Sequence, residues 1–577
     1  MINIKEDEQL SVLNHSCAHL LAQAVKHLYP QAKFWVGPVI NDGFYYDMDI
    51  DGAVITADDL PKIEKEMKKI AKDGKKIIRH EISKEEALKM FADDPYKIDL
   101  INNMDEKETV ISCYTQGDFT DLCRGPHVES VKQLKYFKLL KVSGAYWKGD
   151  AKNKMLQRIY GICFNTQEDL DNYLLMLEEA KKRDHRKLGK EMELFMLSDY
   201  GPGLPFWLPN GYTLRRILED FWLDLHKKKG YLTIDTPIML NKQLWETSGH
   251  WDHYKDDMFT IEVEDGTYAI KPMNCPGAIL VYNNALHSYK ELPLRYSELG
   301  HVHRYEASGA LNGLFRVRGF TQDDAHILLS EDQIGAEIAR ILEIYDYVYS
   351  VFGLNYSIEL STRPDDYIGE IAVWDQAEKD LEKACLATGH SFKINPGDGA
   401  FYGPKLDFKL TDSLGRIWQC GTVQLDMQLP SRFNCVYIAE DGSKKTPVMI
   451  HRACFGSLER FIGIILENYA GNFPLWLAPV QFKVIPVNPN VHGEYADELT
   501  DKLNDLGFRA ECDKRNEKLG YRLREAQVKK IPVQLIIGDK EVEDKSVTFR
   551  RHGSKDSSTL SFEQFAAIMH KEVADKK

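Results

Sequence analysis

Apolar residues along the first third of the chain recur first at helical and then at strand spacing. In His15–Tyr29 (HSCAHLLAQAVKHLY) they fall three and four apart, which predicts an amphipathic helix. Gly43–Ile50 (GFYYDMDI) reads as a strand, and Pro61–Lys76 (PKIEKEMKKIAKDGKK) as a charged helix. The stretch Thr166–Asp169 resembles a capping box, and it predicts one long helix running on through LLMLEEAKKRDHRKLGK. That helix reads as a connector between domains. From about Leu194 the texture changes: Gly and Pro become frequent (GPGLPFWLPNG), and aromatic-rich strands then alternate with loops to about Pro474. The segment PLWLAPV marks a second boundary. Beyond it, FKVIPV, EYADELTDKLNDLG, FRAECD, LGYRLREAQVKK and VQLIIGD alternate as strand and helix, followed by SVTFR and a last helix. The pattern divides the chain at residues 1–165, 166–193, 194–477 and 478–577.

Length agrees with several domains, since 577 residues exceed what one hydrophobic core organises. No apolar run reaches the ~18 residues that span a bilayer. The opening MINIKEDEQLSVLNH has no basic-then-apolar segment, so neither a secretory signal nor a membrane partner is expected. Ten cysteines are scattered without a CxxC pair, which reads as reduced thiols in a cytoplasmic protein. The net charge of −14 argues against nonspecific nucleic-acid binding, but it is uneven. Residues 480–577 hold 18 Lys+Arg against 17 Asp+Glu, a net of +1, so the preceding 479 residues carry −15. A local basic surface in the last segment is compatible with a phosphate backbone.

The candidate chemistry lies in the central segment. Arg304-Tyr-Glu306 is a strand-like arginine with an acid two residues on, followed by a loop and Phe315–Phe320 (FRVRGF). Gly456–Arg460 (GSLER) is a turn into an apolar helix. These arrangements, in this order, resemble the motifs of class II aminoacyl-tRNA synthetases, and Pro237 in IDTPIML resembles the proline of that family's dimer-forming motif. The resemblance implies an antiparallel-sheet catalytic core, a homodimer, and ATP bound with Mg2+. It places Arg304, Glu306, Arg316 and Arg460 in the catalytic machinery, with Arg304 on the α-phosphate and Arg460 on the γ-phosphate. Guanidinium forks suit that role, because adenylate formation is an in-line attack on the α-phosphorus and charge builds there.

Three further segments narrow the match. Lys271–Pro276 (KPMNCP), Gln322–His326 (QDDAH) and Met449–Arg452 (MIHR) resemble the zinc-binding segments of threonyl-tRNA synthetases, which implies one Zn2+ held by Cys275, His326 and His451. Three protein ligands leave one position open, as a substrate-binding zinc requires. An open zinc can take the amine and the hydroxyl of L-threonine together, and a site built on that hydroxyl rejects valine. The resemblance also implies threonine and adenylate contacts at Gln322, Asp324, Tyr402, Lys405, Gln419, Gln424 and Ser457. The nearest rival is a prolyl enzyme of the same subgroup, and the Cys/His/His set argues against it. A regulatory RNA-binding descendant of a synthetase is a second rival, but it should have lost ATP-binding arginines or zinc ligands.

Serine is the harder competitor, since it lacks only one methyl of threonine, worth ~1–3 kcal/mol. A second, hydrolytic site is therefore expected. His15 and His19 lie four apart on one face of the predicted helix, and Cys123 and His127 repeat the interval, so the residue types alone allow a four-ligand metal site. The pattern also resembles the editing domain shared by threonyl- and alanyl-tRNA synthetases, here an α+β domain. Its threonyl branch implies that His15, His19, Lys97, Asp121, Cys123 and His127 hydrolyse Ser-tRNA(Thr) with positioned water. Longer family members carry a ubiquitin-like domain ahead of this region, and a form lacking it is expected because the first motif begins at residue 15. Residues 478–577 resemble the α/β anticodon-binding domain, implying tRNA(Thr) contacts at Asn516, Glu541 and Arg550. The expected function is ATP-dependent ligation of L-threonine to tRNA(Thr) through a threonyl-adenylate, with editing of the seryl product.

Overall fold

The computed structural model describes residues 3–104, 110–150 and 152–576. The chain forms two compact units, Met1–Glu179 and Ala180–Lys577.

In the first unit the apolar face of the N-terminal sequence becomes the helix Glu8–Leu28, capped by Asp7, whose carboxylate accepts from the amide of Leu10. Its buried face includes Cys17, Ala18, Leu20, Leu21 and Val25, which share one core with Phe44, Tyr46 and Met48 of the strand Gly43–Asp49. That strand pairs antiparallel with Met155–Phe164, which pairs in turn with Tyr136–Tyr146. The charged helix Leu60–Asp73 packs Ile63, Met67 and Ile70 into the same core and stops at Gly74, whose φ of 67° is open to glycine. A smaller antiparallel sheet, Ile77–Ser83, Val110–Gln116 and Phe119–Leu122, carries the chain to Asp121 and Cys123.

The expected connector over 166–193 is not one helix. Thr166 and Asp169 form the expected cap at the start of Gln167–Lys182, but a second helix, His185–Glu191, begins after a break. The break has a local cause. Asp184 leaves helical geometry at φ −50°, ψ 120°, and its carboxylate accepts from the amide of Arg186 at 2.8 Å. Aspartate's side chain competes for backbone donors in this way, so it starts helices more readily than it continues them.

The second unit is built on an eight-stranded sheet. Its order is Leu232–Thr233, Leu294–His303, Gly319–Leu329, Val448–Ser457, Ile417–Asp426, Lys405–Thr411, Asn355–Ser361 and Phe392–Asn395. Pairing is antiparallel throughout the middle and parallel at both edges. The large apolar core includes Ile338, Ile341 and Tyr345 of the helix Ile334–Val351 and Phe461, Ile462 and Ile465 of the helix Leu458–Asn468. Residues beyond 480 add a five-stranded sheet, with Phe482–Pro486 parallel to Ala510–Cys512 and to Val533–Ile537, and with its own core. Among the described residues no helix is long and apolar enough to cross a membrane, and all ten cysteines are free.

Candidate functional site

The centre of the eight-stranded sheet carries the chemistry. Register places His326 directly opposite His451 on paired strands, and Gln424 opposite His451 on the other side. Cys275 opens the short helix Cys275–Asn283. One donor atom from each of Cys275, His326 and His451 lies within 4.8 Å of the others, and all three side chains are buried. Burial, and then the neighbouring His451, push His326 well below the ordinary imidazole value, so it is neutral and keeps a lone pair for a metal. One thiol and two imidazoles of this reach form a donor set suited to zinc. His250, also buried, lies beside them, with Nε2 3.8 Å from the Cys275 sulfur.

Two chambers adjoin this cluster. One, of about 270 Å³, is lined by Cys275, Gln322, Asp324, His326, Tyr402, Gln424 and His451, among others. The second, of about 180 Å³, is lined by Glu306, Phe315, Arg316, Gln322, Gln419, Ser457 and Arg460, among others. Arg304, Gln322 and Thr422 line both, so the chambers meet at Arg304. The strand Leu294–His303 ends one residue before Arg304, but the Arg304 amide still donates to the Arg318 carbonyl, and its Nε donates to the Pro272 carbonyl at 3.2 Å.

The remaining expected residues are fixed as follows. Glu306 accepts from Arg316 at 2.8 Å, and Arg460 donates from Nε to the Phe315 carbonyl at 3.0 Å. Asp324 accepts from Asn274 at 2.8 Å, while burial pushes its carboxyl up to about 7. The Tyr402 hydroxyl donates to Gln424. The buried Oε1 of Gln322 has no hydrogen-bond partner, which marks an acceptor awaiting a ligand's donor. Gln419 is held by Asp407 at 2.7 Å. Lys405 stands apart: its Nζ pairs with Asp407 at 3.0 Å, and it lines neither chamber.

In the first unit, His15, His19, Cys123 and His127 converge within 4.8 Å. The Cys123 sulfur lies 3.3 Å from His15 Nε2 and 3.2 Å from His127 Nε2. The hydroxyl of Ser16 donates to the Val12 carbonyl, so it can only accept from His127 Nδ1 at 3.1 Å. That contact leaves Nε2 of His127 as the acceptor facing the thiol. Burial holds Cys123 up at about 11 and His19 down at about 4. At neutral pH the cluster is therefore a protonated thiol among neutral imidazoles. Lys97 and Asp121, both buried, pair at 2.5 Å, and the Tyr46 hydroxyl donates to the same carboxylate. Tyr46 and Ser16 were not legible as site residues. Ser16 sits within the HxxxH segment, whereas Tyr46 gives no signal beyond its strand alternation.

The expected anticodon contacts are not gathered by one local network. Asn516 is exposed on the loop before the helix Leu519–Val528. Both carboxylate oxygens of Glu541 are engaged within the chain, by the Gly538 amide at 2.8 Å and the Thr548 hydroxyl at 2.6 Å. Arg550 lies opposite Gln534 in the sheet.

Three families match the chain. Residues 259–469 match the tRNA synthetase class II core domain (G, H, P, S and T), and residues 481–572 match an anticodon binding domain. Residues 111–160 match the threonyl and alanyl tRNA synthetase second additional domain. The threonine–tRNA ligase of Clostridioides difficile (strain 630) is 52% identical over 579 residues, covering 100% of this chain and 90% of that protein. The chain belongs to the threonine–tRNA ligase family. A further threonine–tRNA ligase, from Desulforamulus reducens, is 54% identical over 578 residues, covering 100% of this chain and 91% of its own length. Among solved structures, the RNA binding domain of threonyl-tRNA synthetase from Cryptosporidium parvum Iowa II aligns with a TM-score of 0.66 at 40% identity. It covers 67% of this chain and 98% of its own. A prolyl-tRNA synthetase of the same organism aligns with a TM-score of 0.53 at 16% identity over 68% of this chain and 75% of its own, a likeness of fold alone. As a threonine–tRNA ligase the chain combines the class II antiparallel core, whose ATP is used with Mg2+, with the anticodon-binding and second additional domains.

Proposed function

We propose that this threonine–tRNA ligase joins L-threonine to tRNA(Thr) in the central cleft and clears serine from mischarged tRNA(Thr) in its first unit. It does so as a cytoplasmic homodimer with one zinc per chain. The observation that carries the reading is the meeting of two chambers at Arg304, one floored by Cys275, His326 and His451 and the other by Ser457 and Arg460. The first takes the amino acid and the second takes ATP.

Bound zinc would supply a Lewis-acid contact for the amine and hydroxyl of threonine, a pairing that valine cannot make. Asp324, fixed by Asn274, accepts from the substrate's amine or hydroxyl, and the unpaired Oε1 of Gln322 accepts a further proton donor between the chambers. Arg304 spans the point where the threonine carboxylate attacks the α-phosphorus and pyrophosphate leaves, so its guanidinium meets the charge that develops there. The tRNA's terminal hydroxyl then attacks the acyl carbon and AMP departs. Asn516, Glu541 and Arg550 are proposed anticodon contacts, and the two internal bonds of Glu541 mean that it reaches a base only by exchanging one of them.

Seryl ester cleavage is proposed to use water held by His15, His19, Lys97, Asp121 and His127. A thiol held at about 11 is a poor nucleophile at neutral pH, which favours water over Cys123 as the attacking group. Around Pro237, Leu232, Ile238 and Met239 are each about half exposed in the single chain, a surface suited to an isologous two-fold contact. Light scattering should give about twice the chain mass of 66.3 kDa. The primary test is ATP–pyrophosphate exchange with each amino acid in turn. Threonine should support it strongly, serine weakly and valine hardly at all, whereas exchange driven best by proline would overturn the reading.

A further inference from the structure

The strand pairing that builds the central cleft is interrupted at one point. Gln322 pairs with Ser457 and Asp324 pairs with Ala453, so one residue on the first strand, Asp323, faces three on the second. These three residues, Cys454, Phe455 and Gly456, form a bulge whose amides turn to a side chain of the facing strand. The side chain of Asp323 supplies the acceptors. Its Oδ2 accepts from the amides of Cys454 at 3.0 Å and Phe455 at 2.9 Å, and its Oδ1 accepts from Gly456 at 2.8 Å. A fourth donor comes from another element: Nε1 of Trp222, on the helix Pro209–Lys228, reaches Oδ2 at 3.0 Å. Asp323 and Trp222 are both buried.

What this bulge aims is the turn into the helix Leu458–Asn468. Gly456 has φ +79°, and a Cβ there would lie 2.5 Å from the carbonyl oxygen of Cys420, so the turn has little room to relax. Ser457 follows at once and caps the helix by accepting from the Arg460 amide at 3.2 Å. Both Ser457 and Arg460 line the chamber read above as the ATP site. A β-bulge next to an active site typically re-aims a side chain, and a carboxylate accepting several amides fixes such a backbone firmly.

We propose that Asp323 is a positioning residue for adenylate formation, acting through the Cys454–Gly456 bulge to set Ser457 and Arg460 against the bound nucleotide. The inference rests on the reading of the cleft as the synthetic site. Asp323 itself touches no substrate. Asparagine in its place offers one acceptor oxygen and one amide donor, so at least one bulge N–H is left facing a donor. The Gly456–Ser457 turn then shifts. A misplacement of about 1 Å at a reacting centre costs on the order of 10²-fold in rate.

The test is a double-mutant cycle on the full-length enzyme, with pyrophosphate exchange expressed per active site as counted by burst titration. Asp323→Asn should lower turnover per titrated site on the order of 10²-fold and raise KM for ATP, with zinc content unchanged. In an Arg460→Ala background the same substitution should cost clearly less than in the parent, because one of the two groups it positions is gone. Fewer titrated sites with parental turnover per site would mean that Asp323 serves only stability, and would overturn the proposal. Equal fold-losses in both backgrounds would overturn it as well. If D323N does not fold, Trp222→Phe removes one donor to the same carboxylate, and the same cycle decides by coupling or additivity with Arg460. Failure of Arg460→Ala to impair exchange at all would instead refute the reading of the cleft, which separates the two failures.

Discussion

His451 Nε2 lies 2.9 Å from Oδ2 of Asp426, a fully buried carboxylate that also accepts from the amides of Gln428 and Leu429. The contact puts the proton of His451 on Nε2 and leaves Nδ1 with its lone pair. A carboxylate behind a metal-binding imidazole fixes its tautomer and raises its basicity, and losing it commonly costs about 10–100-fold in metal affinity. Asp426→Asn should therefore weaken zinc binding by that factor, read by competition with a chromogenic chelator. The parent should hold close to one zinc per chain. Unchanged affinity in the variant would show that His451 is not a ligand.

Arg304, with Gln322 and Thr422, lines both chambers, and its guanidinium donates to the Pro272 carbonyl. Arg304→Ala should lower threonine-dependent pyrophosphate exchange by about 10²–10³-fold, the usual cost of one lost transition-state contact. Hydrolysis of Ser-tRNA supplied from outside should persist. Near-normal exchange would remove Arg304 from the site of phosphoryl chemistry.

His15 and His19 belong to the first unit, whose core is separate from that of the cleft. Replacing both with Ala should leave threonylation within about twofold while Ser-tRNA(Thr) accumulates. The rate of clearing added Ser-tRNA should fall at least ~10²-fold, as expected when placement of the attacking water is lost. Wild-type clearance by the double variant would reduce the cluster to a structural role.

The same cluster predicts a dependence on acidity. Burial holds His19 down at about 4 and His127 at about 2 in the folded chain, whereas an unfolded histidine titrates near 6.5. Below pH ~6.5 the unfolded chain takes up protons that the folded one refuses, so stability falls as pH falls. The contribution of His19 is fully present above the unfolded value and is lost by about pH 4. For His19 alone the difference is of the order of 3 kcal/mol. Hydrogen-exchange protection of the helix Glu8–Leu28, corrected for intrinsic rates, should drop markedly between pH 7.5 and 5. Equal protection at the two values would contradict neutral, buried imidazoles.

Local chemistry made part of this legible from sequence. The HxxxH interval lies on one helix, and the CxxxH interval spans one short segment, so each pair is visible within five residues. The expected zinc set is different. Cys275, His326 and His451 are separated by 51 and 125 residues, and only the pairing of two strands brings the histidines opposite each other. Their types matched a family, but no spacing rule could have found them. Asp323, Asp426 and Tyr46 were silent for a related reason. Each acts through partners supplied by distant segments, and the sequence around it shows only strand alternation. The break at Asp184 was readable in principle, because an aspartate followed by helix formers is a start signal as well as a tolerated interior residue.

That break has a consequence for how this protein can be divided. His185, the first residue of the helix after it, presents both ring nitrogens to the catalytic unit. Nδ1 contacts Glu467 of the helix that carries Arg460 at 2.7 Å, and Nε2 accepts from the Leu314 amide at 3.0 Å. Its ring packs at 4.1 Å on Phe315, a wall of the second chamber. A segment that sequence texture assigns to the joint is thus a keystone of the second chamber. Shortening the chain to begin at residue 194 would pull that stone, leaving Glu467 buried without its imidazole and the Leu314 amide without an acceptor. Beginning before Asp184 would keep the arch closed. The seam between the two compact units lies within the helix Gln167–Lys182, after Glu179, upstream of where the composition changes.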